Sequence, residues 1–132
     1  MIVLDASAAI DYLVDAGERG EWVRARIRHE RSLAAPHLID VEVVSGLRQL
    51  LARAEVSRPQ AEDALAVFAL LDLARYPVTL FLDRMWRLRT VLTPHDAAYV
   101  TLGEVFGWPV LTTDARLGRA HGYRAAIVAF PN

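Results

Sequence analysis

Cysteine is absent from the 132 residues, which excludes disulfide frameworks, zinc–thiolate sites and thiol nucleophiles. Lysine is absent too, since all 15 basic residues are arginine. That removes Schiff-base chemistry, the P-loop lysine and any catalytic ammonium. No apolar run approaches the roughly 18 residues a membrane span needs. The opening Met1-Ile2-Val3-Leu4-Asp5 has no basic stretch and turns acidic too soon for a signal peptide. A soluble, cytoplasmic protein is therefore expected. The net charge of −1 argues against a strongly basic nucleic-acid binder. It does not exclude an enzyme whose attraction for phosphate is local and metal-borne.

What is present is apolar: 54% of the residues are hydrophobic, against about 45–50% in ordinary globular chains. The length suits one domain, residues 1–132, with a core that needs no staples. The excess predicts apolar surface covered by another copy or a partner. The pattern predicts a strand over about 2–5, a short helix over 7–14, a helix over 18–30 and an apolar element at Leu33-Ala34-Ala35. Pro36 is expected to open a helix running to about Arg53, nearly all of it buried. Ser57-Arg58-Pro59 starts the next helix. Val78-Thr79-Leu80 reads as a strand, 81–91 as a helix, and Thr93-Pro94-His95-Asp96 as a helix start that Gly107 closes. Val110-Leu111-Thr112, a helix from Asp114 to about His121, and the strand Ala126-Ile127-Val128 complete the pattern. This alternation predicts an α/β fold with a mostly parallel sheet covered on both faces.

Parallel sheets bind ligands at the carboxyl ends of their strands, where Asp5 and Asp114 both fall. Asp96 opens a helix and Glu42 sits inside an apolar one. Each acid also has a structural explanation. Asp5 and Asp114 suit helix caps, Thr93 and Asp96 have capping-box spacing, and Glu42 fits an exposed helix face. Together they suggest more. Carboxylates gathered in a cleft repel one another unless a cation neutralises them, which points to a divalent-metal site for cutting phosphodiester bonds.

Ile2-Val3-Leu4-Asp5-Ala6-Ser7-Ala8 resembles the opening strand and first acid of the PIN-domain ribonucleases. Pro36-His37-Leu38-Ile39-Asp40-Val41-Glu42-Val43 resembles their second-acid helix. Thr93-Pro94-His95-Asp96-Ala97-Ala98-Tyr99 resembles the third motif, and Leu111-Thr112-Thr113-Asp114-Ala115-Arg116-Leu117 the fourth. The resemblance spans essentially the whole chain, with length and pattern nearest the VapC toxins of bacterial type II toxin–antitoxin modules. It implies a PIN-like three-layer α/β/α sandwich, Mg²⁺ or Mn²⁺ dependence and endonucleolytic cleavage of RNA. It carries Asp5, Glu42, Asp96 and Asp114 over as the acidic site. A homodimer and a cognate VapB-type antitoxin are further implications.

Mg²⁺ takes hard oxygen ligands, keeps several waters and binds directly through one or two carboxylates. Asp5 and Asp96 are expected as the main ligands, with Asp114 direct or through water. Glu42 would hold a water or orient the nucleophile. Ser7 and Thr112 are expected to hydrogen-bond the carboxylates, although a first-turn hydroxyl and a plain strand residue explain them as well. Arg116 is within reach of a substrate phosphate if it is not simply a solvated helix arginine. The clusters Arg84/Arg87/Arg89 and Arg24/Arg26/Arg28/Arg31 offer phosphate contacts or solvated faces. Ala61, Ala64, Leu65, Phe68 and Leu71 form core or a partner groove, and Trp22 and Trp86 fill the core or anchor a partner. A phosphoacceptor receiver domain and an aspartyl phosphatase both need a lysine, which is missing. The competing class is a PIN-fold scaffold that binds RNA or a partner without cutting.

Overall fold

The computed structural model describes residues 1–131. Strands β1 (Ile2–Leu4), β2 (Leu33–Pro36), β3 (Leu73–Tyr76), β4 (Val110–Thr112) and β5 (Ile127–Ala129) form one sheet in the order β3-β2-β1-β4-β5. Every pairing is parallel. Among the described residues the helices are α1 (Ala6–Val14), α2 (Glu18–Ile27), α3 (Leu38–Ala52), α4 (Arg58–Leu70), α5 (Leu82–Arg87), α6 (Pro94–Phe106) and α7 (Ala115–Arg119). A 3₁₀ turn, Val78–Phe81, precedes α5. No helix among the described residues is long and apolar enough to cross a membrane.

Strands covered on both faces read as unbroken apolar runs. The central strand does so: Ile2, Val3 and Leu4 are all buried. From β1 the chain lays β2 and β3 to one side, then β4 and β5 to the other. Right-handed crossovers then put α1–α4 on one face and α5–α7 on the opposite one, giving an α/β/α sandwich. The reversal of strand order at β1 opens a crevice at the carboxyl edge, the usual ligand position in such sheets. Registration sets what lies there. Val3 pairs with Val110 and Leu4 with Leu111, so the next step brings Asp5 beside Thr112.

Local chemistry fixes the helices that border this crevice. Thr93 caps α6 by accepting the Asp96 N–H at 3.2 Å, with Pro94 in the first turn. From Ala97 to Gly103 every residue of α6 is buried. Gly107, at φ 71°, ends the helix in the left-handed region that glycine enters without a Cβ penalty. Gly20 lets α2 close onto α1, since an added Cβ would lie 2.0 Å from the Asp15 carbonyl oxygen.

Three expectations need correction. The segment Val78-Thr79-Leu80 is not a strand but the 3₁₀ turn; the third strand lies earlier, at Leu73–Tyr76. As an edge strand it pairs only with β2, so LARY needs no continuous apolar run. Pro36 ends β2 rather than opening α3: it has no N–H to give, but the His37 N–H continues the ladder to the Tyr76 carbonyl at 3.0 Å. Finally, α3 is not buried all round. Ile39, Val43 and Leu47 enter the core while Val41 and Val44 stand 67% and 52% exposed. Those valines stand with Leu70, Leu80, Leu82 and Trp86 among the exposed apolar side chains.

Candidate active site

Asp5 follows β1 immediately, and its N–H is held by the Leu111 carbonyl at 3.0 Å. Its side chain is only 6% exposed. Ser7 and Thr112 each donate a hydroxyl proton to Asp5 Oδ2 at 2.7 Å. Each hydroxyl has one proton, so their own 3.1 Å separation is shared proximity around that oxygen. Backbone groups set both hydroxyls in place: Thr113 N–H donates to Ser7 Oγ at 3.2 Å and Asp114 N–H to Thr112 Oγ1 at 3.0 Å. These chains of donors leave Oδ1 without a hydroxyl partner. Burial, opposed by the two hydroxyls and reinforced by the charges of Asp96 and Glu42, pushes the Asp5 carboxyl up to about 6.

Asp96, in the first turn of α6, is also raised, by burial first and then by the neighbouring charge of Asp114, against the Thr93 hydroxyl. Asp114 behaves differently. Burial would raise it, but Arg116 wins: its N–H and guanidinium bond the carboxylate at 2.9 and 3.0 Å and hold it below the usual range. Glu42, on α3, accepts the Tyr99 hydroxyl at Oε1, 2.6 Å away. Burial and that bond push the Tyr99 phenol far above its ordinary range, so it stays a neutral donor.

The fold thus places the acids picked from the sequence along one edge, where Asp5 feels the charges of Asp96 and Glu42 and Asp96 feels that of Asp114, with Ser7 and Thr112 bonded to Asp5. Arg116 is present too, but it is paired to Asp114 rather than free. His95 is exposed. Of the arginine clusters, Arg84 is committed to Glu104 at 2.8 and 3.0 Å, and Arg24 to the carbonyls of Tyr12 and Asp15. Ala61, Ala64 and Phe68 are core residues, Trp22 packs edge-on against Phe130, and Trp86 is exposed under Arg89.

Three residues were not picked out. Asp11 accepts the Thr113 hydroxyl at 2.6 Å, and burial raises its carboxyl. With Ser7, Arg19 and Arg116 these two line a cleft of about 460 Å³ beside Asp114. The third is Tyr99. Spacing was the available signal: Ser7 with Asp11 is an i,i+4 pair and Asp96 with Tyr99 an i,i+3 pair, so each shares a helix face.

The donor set suits a hard divalent cation: carboxylate oxygens whose mutual repulsion and burial leave negative charge poorly compensated at Asp5 and Asp96. No three acidic or histidine side chains among the described residues converge into a ready-made cage.

The PIN domain family model matches residues 2–122. Ribonuclease VapC9 of Mycobacterium tuberculosis is 35% identical over 131 residues, 99% of both chains. Ribonuclease VapC12 of the same organism is 39% identical over 127 residues, 96% of this chain and 97% of that one. The crystal structure of Mycobacterium tuberculosis VapC20, a sarcin–ricin loop cleaving toxin, superposes with a TM-score of 0.68 at 14% identity, covering 94% of this chain and 97% of that one. The fold, the acidic edge and this kinship agree: the chain belongs to the PIN-domain family, among the VapC ribonucleases.

Proposed function

We propose that this chain is a Mg²⁺- or Mn²⁺-dependent endoribonuclease toxin of a VapBC-type module, working as a single 1–132 domain in the cytoplasm. The observation that carries this reading is Asp5: a carboxylate at the ligand edge, clamped through one oxygen, raised by burial first and then by its acidic neighbours, with no arginine paired to it among the described residues. Asp5 and Asp96 would hold the metal, with Asp114 directly or through water. When bound, the ion lowers the pKa of water and offsets charge on the phosphoryl oxygens.

The chain's own groups do the rest. Ser7 and Thr112 fix the Asp5 carboxylate, so its free oxygen does not have to be ordered when substrate arrives. Glu42 orients the attacking water and accepts its proton. Water attacks phosphorus in line, the bond to the 3′ oxygen breaks, that oxygen takes a proton from solvent as it leaves, and the products are a 5′-phosphate and a 3′-hydroxyl. Arg116, exposed and bonded to Asp114 beside the cleft, would meet a substrate phosphate with a contact that suits its bidentate fork. Exposed Val41, Val44, Leu80, Leu82 and Trp86 supply apolar area for a second copy and for a cognate VapB-type antitoxin.

The test is cleavage of total RNA by purified, antitoxin-free protein with Mg²⁺, Mn²⁺ or EDTA. Discrete fragments with 5′-phosphate ends, lost in EDTA, are expected. Folded protein that binds RNA but never cuts it with either metal would establish the scaffold reading instead.

A further inference from the structure

Among the described residues Glu42 has no arginine partner, unlike Asp114, and its conformation matters because three side-chain torsions separate its carboxylate from the backbone. Left alone, a side chain of this kind gives up rotamer freedom whenever it must be ordered. One group orders it in advance. The hydroxyl of Tyr99, a residue only 1% exposed and rooted in the best-buried helix of the fold, donates to Oε1 at 2.6 Å. A ring needed only to fill the core would be phenylalanine, because an unbonded buried hydroxyl is costly. The bond also spans the two helical layers: Tyr99 comes from α6, which carries Asp96, and Glu42 from α3. A neutral donor fixes a carboxylate without neutralising it, whereas Arg116 cancels the charge of Asp114 as it binds.

We propose that Tyr99 is a positioning residue of the cleavage site: its hydroxyl holds Glu42 through Oε1, leaving Oε2 free to accept from the attacking water. This rests on the nuclease reading, with Glu42 as the group that handles water.

The experiment uses the full chain as wild type, Tyr99→Phe, Glu42→Gln, the double variant and Glu42→Asp. Each is assayed for RNA cleavage (kcat and KM), Mn²⁺ affinity and unfolding in denaturant. Tyr99→Phe should fold, keep KM within about twofold and lose about 10- to 100-fold in kcat, the usual range for an outer partner of a site. Glu42→Gln should lose at least as much, and the double variant no more than Glu42→Gln alone. Glu42→Asp, which withdraws the carboxylate from the hydroxyl with Tyr99 intact, should lose about as much as Tyr99→Phe. Unfolding should show that the Tyr99→Phe penalty shrinks on the Glu42→Gln background, where a neutral amide oxygen accepts the hydroxyl more weakly than a carboxylate does. Full kcat in Tyr99→Phe, or losses that multiply in the double variant, would overturn the positioning role while leaving the nuclease reading intact. A wild-type protein that fails to cut any RNA would overturn both.

Discussion

Asp5 and Asp114 follow neighbouring parallel strands at the same edge, yet the fold treats them in opposite ways. Asp5 is buried, bonded only by neutral hydroxyls and pushed up to about 6. Asp114 is partly exposed, caps α7, pairs with Arg116 and lies below the usual carboxylate range. One negative charge is satisfied within the chain and the other is not. A structural acid resembles Asp114. On the nuclease reading, an acid kept despite its cost, in a crevice with Glu42 and Asp96, is there for a cation from outside.

The largest expected effect tests that contrast directly. Asp5→Asn should reduce cleavage on the order of 10³-fold, the scale of removing a principal electrostatic group, whereas Asp114→Asn should cost about 10- to 100-fold. Equal losses, measured on one defined RNA, would erase the distinction. Next is pH. A cation binding Asp5 and Asp96 must displace any proton they hold, so Mn²⁺ affinity should fall about tenfold per unit as pH drops below about 6. Asp114→Asn should retain that slope, because Asp114 is already ionised there. Titration by calorimetry from pH 7.5 to 5 would read it, and a flat profile would contradict the site.

Arg116→Ala should act more weakly. Removing the guanidinium that competes for Asp114 should tighten Mn²⁺ a few-fold at most, as suits an exposed pair, while weakening RNA binding. Looser Mn²⁺ binding would mean that Arg116 supports the site rather than competing for it. Smallest is a change outside the crevice. Ser57 caps α4 in a reciprocal box with Gln60. Ser57→Ala should cost about 1 kcal/mol in denaturant unfolding and leave cleavage unchanged.

Much of this was legible in the chain. Continuous apolar runs marked β1 and β4, Thr93-Pro94 and Gly107 bounded α6, and the acids lay where a parallel sheet gathers them. Failures came where local pattern loses to tertiary context. β3 is an edge strand with little apolar content, so Val78-Thr79-Leu80 was the more strand-like segment although it forms a 3₁₀ turn. Pro36 suited a helix start as well as a strand end. The valines of α3 looked like core because their exposure depends on what covers them. The Asp5–Thr112 bond follows from registration and was anticipated, whereas Tyr99 with Glu42 and Asp11 with Thr113 join residues 57 and 102 positions apart, which no spacing rule connects.

If Asp5 serves a bound cation, the fold keeps it there at a cost in stability. An unfolded chain ionises this carboxyl near 3.8 and the folded protein near 6. Between those values the folded state holds more protons, so stability falls as pH rises through the window, by about 3 kcal/mol once it is crossed. The decisive measurement is the unfolding free energy of metal-free wild type and Asp5→Asn at pH 4 and pH 7.5, with cleavage assayed on the same preparations. The account predicts a variant that is inactive but more stable than wild type at pH 7.5, with the gap nearly closed at pH 4. An Asp5→Asn protein that is less stable at pH 7.5, or that still cuts RNA at the wild-type rate, would contradict it.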